Sequence, residues 1–341
     1  MNHNKDIYIL GIESSCDDTS AAIFKNDKLL ANIIANQEVH TQYGGVVPEL
    51  ASRAHQQNIL PVVEAALNKA QIQKNDLSAI AYTRGPGLMG SLLVGTSFAK
   101  AFSFGLNIPL VDVNHMQGHV LAHFIKDDEN KTSPTFPFLC LTVSGGHTQI
   151  VLVKSHLEME VIGETIDDAA GEAFDKAAKI LGLPYPGGPL VDKYAKEGDA
   201  KRFKFSKPQV EGYNFSFSGL KTQFLYFIQK ETEANPTFVK ENMNDICASY
   251  QNNIINYLLK KVKAAAKEYG INQIAIAGGV SANSGLREQL LSWESDGYKV
   301  FIPKFEYCTD NAAMIAITGY YKFLNQEFSG LDAVPVARMK L

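Results

Sequence analysis

Apolar and polar positions fall into short blocks along this chain, and the blocks form two similar series. Residues 7–12 make a nearly continuous apolar run of strand length, followed by the polar stretch Glu13 to Ser20. Apolar runs at 21–25 and 28–35 flank the turn dipeptide Asn26-Asp27, which completes a predicted strand triplet. The same plan recurs at 138–143, 148–153 and 159–163, with Ser144-Gly145-Gly146-His147 as its first turn. Helix-forming sequence follows each triplet, at 48–70 and 169–181. Farther along each series, a buried strand runs through a Gly-rich turn into a helix. The first is 79–83, turn 84–91, helix 92–104; the second is 273–277, turn 278–283, helix 284–291. A last helical pattern covers 310–325, and 331–341 reads as an irregular tail. Identity between the series is negligible, so the likeness lies in the order of elements, as in a duplicated α/β unit.

The charged, proline-containing stretch 126–135 marks a boundary. The expected division is 1–130 and 131–309, with the C-terminal helix 310–341 joined to the first part. With 341 residues and 45% hydrophobic content, the chain can bury substantial cores. Its net charge of −4 gives no bulk attraction for a polyanion, so nucleic-acid contact requires a local basic patch or a partner. Cys16, Cys140, Cys247 and Cys308 are scattered without a paired motif, as expected of reduced thiols. No apolar run approaches the roughly 20 residues of a membrane span, and the polar start of the chain has no signal-peptide core. A cytoplasmic protein without membrane association is expected.

His115 and His119 stand four apart and share one face if their segment is helical, so both imidazoles can bind one ion. His123 continues the spacing, and spacing alone leaves open which pair of the three would bind. Met116 follows the first histidine where the His-Glu-x-x-His motif needs glutamate. Asp310 sits at a predicted helix start, where it reads as a cap and equally as a third ligand in a two-His, one-carboxylate set.

Three small-residue loops, 13–18, 144–147 and 278–283, suit an anion on backbone N–H groups, although none is a Walker or Rossmann loop. Asp167 and Asp168 read as dipole-complementing residues at the start of their own helix, and Glu172 and Asp175 as a solvated face or a ribose or cation contact. Residues 184–189 (Pro-Tyr-Pro-Gly-Gly-Pro) read as a rigid loop just before Asp192. Ser14, Ser15 and Cys16 lack a nucleophile elbow. Lys201, Arg202, Lys204 and Lys207 interleave with Phe203 and Phe205, and Lys260, Lys261, Lys263 and Lys267 make a basic helix face. Both clusters read as solvated surface, or as phosphate contacts if the substrate is RNA.

The chain resembles the TsaD family of tRNA threonylcarbamoyladenosine transferases along nearly its whole length. The resemblance rests on Gly11-Ile12-Glu13-Ser14-Ser15-Cys16-Asp17-Asp18-Thr19, residues 44–53 (Gly-Gly-Val-Val-Pro-Glu-Leu-Ala-Ser-Arg) and Gly85-Pro86-Gly87-Leu88. It rests also on His115 with His119, Val143 to Thr148, Gly171 to Lys176, Tyr185 to Pro189, Gly278 to Asn283 and Cys308 to Asn311. It implies an actin/Hsp70/sugar-kinase-like (ASKHA) fold, two lobes around a central cleft. It further implies transfer of threonylcarbamoyl from threonylcarbamoyl-AMP to N6 of adenine 37, in tRNAs that read codons beginning with A. His115, His119 and Asp310 would hold one divalent ion, iron(II) ahead of zinc, with Asp310 reaching the histidines from the opposite side of the cleft. His123 drops out, because the family motif ends at His119. Val143, Ser144, Gly145, Gly146, His147, Asp175, Gly188, Asp192 and Asn283 would hold the adenylate. A TsaB-like paralogue and a TsaE-like ATPase are the implied partners.

The donor is an activated mixed anhydride, so no covalent protein nucleophile is required. His147 and Glu13 are the two hypotheses for the group that takes the adenine amine proton. A metal-dependent peptidase and a small-molecule kinase of the same fold are the alternatives. The first wants a glutamate where Met116 stands, and the second usually recruits magnesium through carboxylates and phosphates.

Overall fold

A computed structural model describes residues 6–35, 43, 45–127 and 132–341. Gly44 and part of the expected boundary at 126–135 lie outside the described residues. By internal contacts the chain divides into one unit of Met1–Pro134, Ser155–Met159 and Lys304–Leu341, and another of Thr135–Lys154 and Glu160–Pro303.

The first unit is built on strands β1 (Tyr8–Glu13), β2 (Thr19–Lys25), β3 (Lys28–Ala35), β4 (Ala79–Gly85) and β5 (Leu110–Asn114), in the order β3-β2-β1-β4-β5. β2 is antiparallel to β1 and β3, whereas β4 runs parallel to β1 and β5. Asn26, at φ 55°, closes the β2–β3 turn, and its side-chain oxygen accepts from the Ile7 amide at 3.1 Å. Helices α1 (Pro48–Ala70), α2 (Met89–Leu106) and α3 (His115–Leu121) complete this stretch. Leu10, Ile12, Ile23 and Ile80 pack with Ile59, Val62 and Val63 of α1 on one face of the sheet. β1, β2 and β4 are buried on the other face too, which explains their apolar runs, whereas the edge strand β3 is only partly covered.

The second unit repeats the sheet. Its strands are β6 (Phe138–Val143), β7 (Thr148–Val153), β8 (Met159–Glu164), β9 (Gln273–Ala277) and β10 (Lys299–Phe301), in the order β10-β9-β6-β7-β8. Read from β8 this is the order of the first sheet, with β6–β7 antiparallel and β6–β9 and β9–β10 parallel. Helices α4 (Ala170–Ile180), α5 (Gly187–Ala195), α6 (Ser218–Ala234), α7 (Phe238–Tyr269) and α8 (Ser284–Leu291) surround it. The buried residues Phe174, Tyr250, Ile254 and Leu258 pack with Leu139, Leu141 and Ile276 of the sheet. The last helix, α9 (Ala312–Leu324), belongs to the first unit and packs on β1, β2 and β4.

Three differences from expectation matter for the site. α2 begins at Met89, inside the predicted turn 84–91. α5 begins at Gly187, inside the predicted rigid loop 184–189; Pro189 falls in its first turn, where a missing N–H costs no helical bond. Strands β5 and β10 and helix α6 have no counterpart in the predicted pattern.

Candidate active site

Helix α3 starts where β5 ends. Asn114 caps it, its side-chain oxygen accepting from the amides of Met116 and Gln117 at 2.9 and 3.3 Å. The next residue is His115, and His119 follows one turn later, with the rings edge-to-face and their centroids 4.7 Å apart. Between them lies Gly118, where an added Cβ would stand 3.2 Å from atoms of Met314 and Ile315. That close packing brings α3 against the start of α9, the helix that follows Asp310. Asn311 caps α9, accepting from the Met314 amide at 3.1 Å. Asp310 is therefore not the cap its position suggested, and its carboxylate is free to turn to the imidazoles. Its Oδ1 lies 3.3 Å from Nε2 of both His115 and His119. Asp310 also lies in the same compact unit as the histidines, which corrects the expectation that it reaches them across a cleft.

Glu13, at the end of β1, is fully buried and accepts from the Ser15 amide and the Thr83 hydroxyl, each at 2.5 Å. Its Oε2 also stands 3.1 Å from His115 Nδ1, so that nitrogen donates to Glu13 and Nε2 faces Asp310. Burial works against ionisation of Glu13, but the His115 charge and these donors outweigh it and hold the carboxyl below its usual range. Burial likewise opposes charging His115; Asp310 and Glu13 win, and its pKa is well above the ordinary value. For His119 burial dominates, and its pKa is lowered. Burial favours the neutral acid for Asp310 as well, yet the two imidazoles hold it ionised.

The donor set fits a divalent ion. One ligand atom from each of His115, His119 and Asp310 lies within 4.8 Å of the others, close to the spacing of groups that share an ion at about 2 Å. Both nitrogens of His119 are buried without a hydrogen-bond partner, although Nε2 is near Asp310, and a buried polar atom left so is costly. Among the described residues His123 is not part of this cluster. Of the weak nucleophile candidates, Ser14 donates to the Ser91 carbonyl and Ser15 Oγ meets His115 Nδ1. Burial pushes the Cys16 thiol far above its ordinary pKa, which suits none of the three to covalent chemistry.

The adenylate candidates all belong to the second unit. Ser144 and His147 close the β6–β7 turn through the Ser144 amide to the His147 carbonyl at 2.8 Å and the His147 amide to Ser144 Oγ at 3.1 Å. Gly145 and Gly146 at its tip are exposed, with open space where side chains would be. Gly278 packs at φ 85° against β6, where a Cβ would meet the Val143 carbonyl oxygen at 2.5 Å. Asp175 Oδ1 accepts from the amides of Gly187 and Gly188 at 2.9 and 3.0 Å, capping α5 from outside. Burial raises the Asp175 pKa despite those bonds. Asp192 accepts from the Ser284 amide and hydroxyl, at 3.1 and 2.8 Å, and so caps α8. Asn283 adds its own oxygen to the Leu286 amide and donates to Gln251, which in turn donates to Asp192.

Asp167 serves a different helix, whereas Asp168 pairs with a lysine of α4, the helix it precedes. Asp167 accepts from Ser216, Phe217 and Ser218 at the start of α6, and Asp168 pairs with Lys176 at 2.6 Å. Glu172 also pairs with Lys176, at 2.8 Å. The aromatics of the basic cluster point inward. Phe205 is buried against Phe224 and Tyr250, Phe203 is half-buried against Phe227 and Phe238, and Arg202 pairs with Asp245. Lys261 donates to the carbonyls of Val210 and Gly212, and Lys263 pairs with Asp296 over the Trp293 ring. Sequence reasoning missed Asn114, Thr83 and Gln251. An Asn directly before a helical histidine pair is a cap signal and was readable; the other two become visible only in tertiary contact.

The repeated sheet order in each unit is that of the duplicated actin/Hsp70/sugar-kinase class, and solved structures agree. HypF from T. kodakarensis superimposes with a TM-score of 0.63 at 14% identity, covering 96% of this chain and 49% of that one. Component A of the Acidaminococcus fermentans (R)-2-hydroxyglutaryl-CoA dehydratase gives 0.52 at 16% identity, covering 93% and 98%. Sequence comparison is more specific. The family model for TsaD, tRNA N6-adenosine threonylcarbamoyltransferase, matches residues 28–317. Enzymes with that name from Christiangramia forsetii and Porphyromonas gingivalis are 66% and 59% identical, over 99% and 98% of this chain and 99% of each relative. The chain belongs to the TsaD family of tRNA N6-adenosine threonylcarbamoyltransferases.

Proposed function

We propose that this enzyme transfers the threonylcarbamoyl group of threonylcarbamoyl-AMP to N6 of adenine 37, in tRNAs that read codons beginning with A. The carrying observation is the family match over almost the full chain, together with the convergence of His115, His119 and Asp310 that its sequence implied. In the reaction N6 attacks the carbamoyl carbon, the bond from that carbon to the phosphate oxygen breaks, AMP leaves and N6 gives up a proton. His115, His119 and Asp310 would hold one divalent ion, iron(II) ahead of zinc. Such an ion, when bound, supplies Lewis-acid polarisation and orientation of the acyl group. Glu13 holds the proton on His115 Nδ1, which leaves Nε2 as the ligand atom.

In the second unit, the open tip at Gly145 and Gly146 and the backbone of Val143 to His147 suit phosphate and ribose contacts. Asp175, Gly188, Asp192 and Asn283 shape the starts of α5 and α8 in the same unit. For the N6 proton, burial and three donors argue against Glu13, whereas His147 is half-buried on the turn. We therefore assign the proton to His147 and a positioning role to Glu13. Much of the acceleration must come from orientation, because the exocyclic amine is a poor nucleophile. The proposed place of work is the cytoplasm; among the described residues no helix is long and apolar enough to cross a membrane. A TsaB-like paralogue and a TsaE-like ATPase complete the proposed assembly.

The test is complementation of a bacterial strain depleted of its own transferase. Expression of this chain should restore the threonylcarbamoyl nucleoside in bulk tRNA, and the Asp310→Ala chain should not. Full restoration by Asp310→Ala would remove the carboxylate from the mechanism.

A further inference from the structure

The chain's last residues, read from sequence as an irregular tail, are tied at successive points to β4, to the loop after it and to β5, the strand that leads into the histidine helix. The Ser329 amide donates to the Leu110 carbonyl at the start of β5, at 2.7 Å. Arg84 Nε donates to the Val334 carbonyl at 2.9 Å, and the Val336 amide returns a bond to the Arg84 carbonyl at 2.9 Å. The Gly87 amide donates to the Ala337 carbonyl at 3.1 Å. The approach is close enough that a Cβ on Gly85 would stand 1.9 Å from the Val336 carbonyl oxygen. The final tie reaches the candidate active site, where Asn114 Nδ2 donates to the Lys340 carbonyl at 2.9 Å.

That last bond does more than anchor the tail. Asn114 has one donor end and one acceptor end, and its acceptor end caps α3 directly before His115. Giving the donor end a fixed carbonyl partner settles which way the amide faces, and the cap oxygen is then held toward Met116 and Gln117. Asn114 is itself buried, so an unpartnered amide there would be costly.

We infer that the C-terminal segment 329–341 is a strap that positions the histidine pair, acting through the Lys340 carbonyl and Asn114. Asn114 is a positioning residue in this scheme, since it touches no ligand and acts through the start of α3. The inference rests on the proposed ion site.

Two variants test it, with cobalt(II) as the probe and its visible absorption band as the readout. One chain ends at Ala337. The other is Asn114→Asp, which keeps an oxygen for the cap but sets a second oxygen against the Lys340 carbonyl. Both should bind cobalt(II) about tenfold more weakly than wild type, the scale of lost supporting contacts around a metal ligand, with an altered band. Asn114→Asp should show this weakening together with some loss of metal-free melting temperature, because its second oxygen faces a carbonyl in a buried place. Wild-type affinity and band in both variants would overturn the strap. So would a loss of melting temperature in Asn114→Asp with affinity intact, since that describes a purely structural cap. If the truncated chain does not fold, Asn114→Asp decides alone. Failure of the wild-type chain to take up cobalt(II) would instead bring down the ion site, and the strap with it.

Discussion

Replacing Glu13 by Gln isolates the role of one buried charge while keeping its shape. In the native chain the carboxylate accepts from Ser15 N, Thr83 Oγ1 and His115 Nδ1. An amide has one oxygen and one NH2, and the Ser15 amide is a donor that cannot reverse. The Gln oxygen must therefore face Ser15, and its NH2 must face Thr83 and His115. The Thr83 hydroxyl can rotate to accept. His115, charged in the native chain, accepts only by giving up its Nδ1 proton, which leaves its one remaining proton on Nε2, the nitrogen 3.3 Å from Asp310. All three contacts survive in neutral form, each weaker by about 1 kcal/mol than its charge-assisted counterpart. Removing a buried carboxylate's desolvation cost offsets part of that loss. The net destabilisation should be about 1–2 kcal/mol, a fall of roughly 2–8 °C in melting temperature for a unit of this size. The effect on the ion site should be larger, about 10- to 100-fold in cobalt(II) affinity, because freeing Nε2 for an ion then means returning the proton to Nδ1 and losing the contact with the substituted amide. Thermal melting of the metal-free protein and a cobalt(II) titration measure the two effects separately. Cobalt affinity within twofold of wild type would refute the tautomer argument, whatever the melting temperature does.

The remaining predictions concern the second unit. Asp167→Ala should lower its stability by about 1 kcal/mol in urea titrations through loss of the α6 cap. Burial alone would raise the Asp167 pKa, but the bonds from Ser216, Phe217 and Ser218 lower it below the ordinary value. The stability it contributes is therefore present above the unfolded carboxyl pKa and fades as pH falls through the folded one, and the wild-type advantage over Asp167→Ala should vanish in acid. Gly278→Ala combines a left-handed backbone with a Cβ 2.5 Å from the Val143 carbonyl, and should cost about 2–4 kcal/mol. Wild-type urea stability of that variant would contradict the close packing. Phe205→Ser should unfold or strongly destabilise the unit without a selective loss of tRNA affinity, since the ring is a core residue; a well-folded variant that binds tRNA poorly would reverse this reading.

Much of the fold was legible because both sheets are buried on two faces, so β1, β4, β6 and β9 appear as unbroken apolar runs. The duplication was legible in element order for the same reason. Helix starts were not. Gly187, Gly188 and Pro189 have the composition of a loop, and they begin a helix because Asp175, twelve or more positions earlier, supplies the missing acceptor. The same long-range capping misled the reading of Asp167, whose partners lie some fifty residues downstream. Local spacing explained the His115/His119 pair, since i and i+4 meet on any helix. Family resemblance pointed to Asp310, but its position beside the histidines depends on α9 packing against Gly118, which no local pattern carries. The phenylalanines of the basic cluster show the converse error, where interleaved sequence suggested a surface and tertiary packing turned the rings inward.

The most direct measurement combines the purified chain, its TsaB-like and TsaE-like partners, threonylcarbamoyl-AMP and unmodified tRNA, with mass spectrometry of the digested nucleosides. The transferase assignment requires the N6-threonylcarbamoyl nucleoside at adenine 37 with the wild-type chain, and its loss when His119 is replaced by Ala. No modified nucleoside from the complete wild-type mixture, with tRNA of the matching codon class, would contradict it.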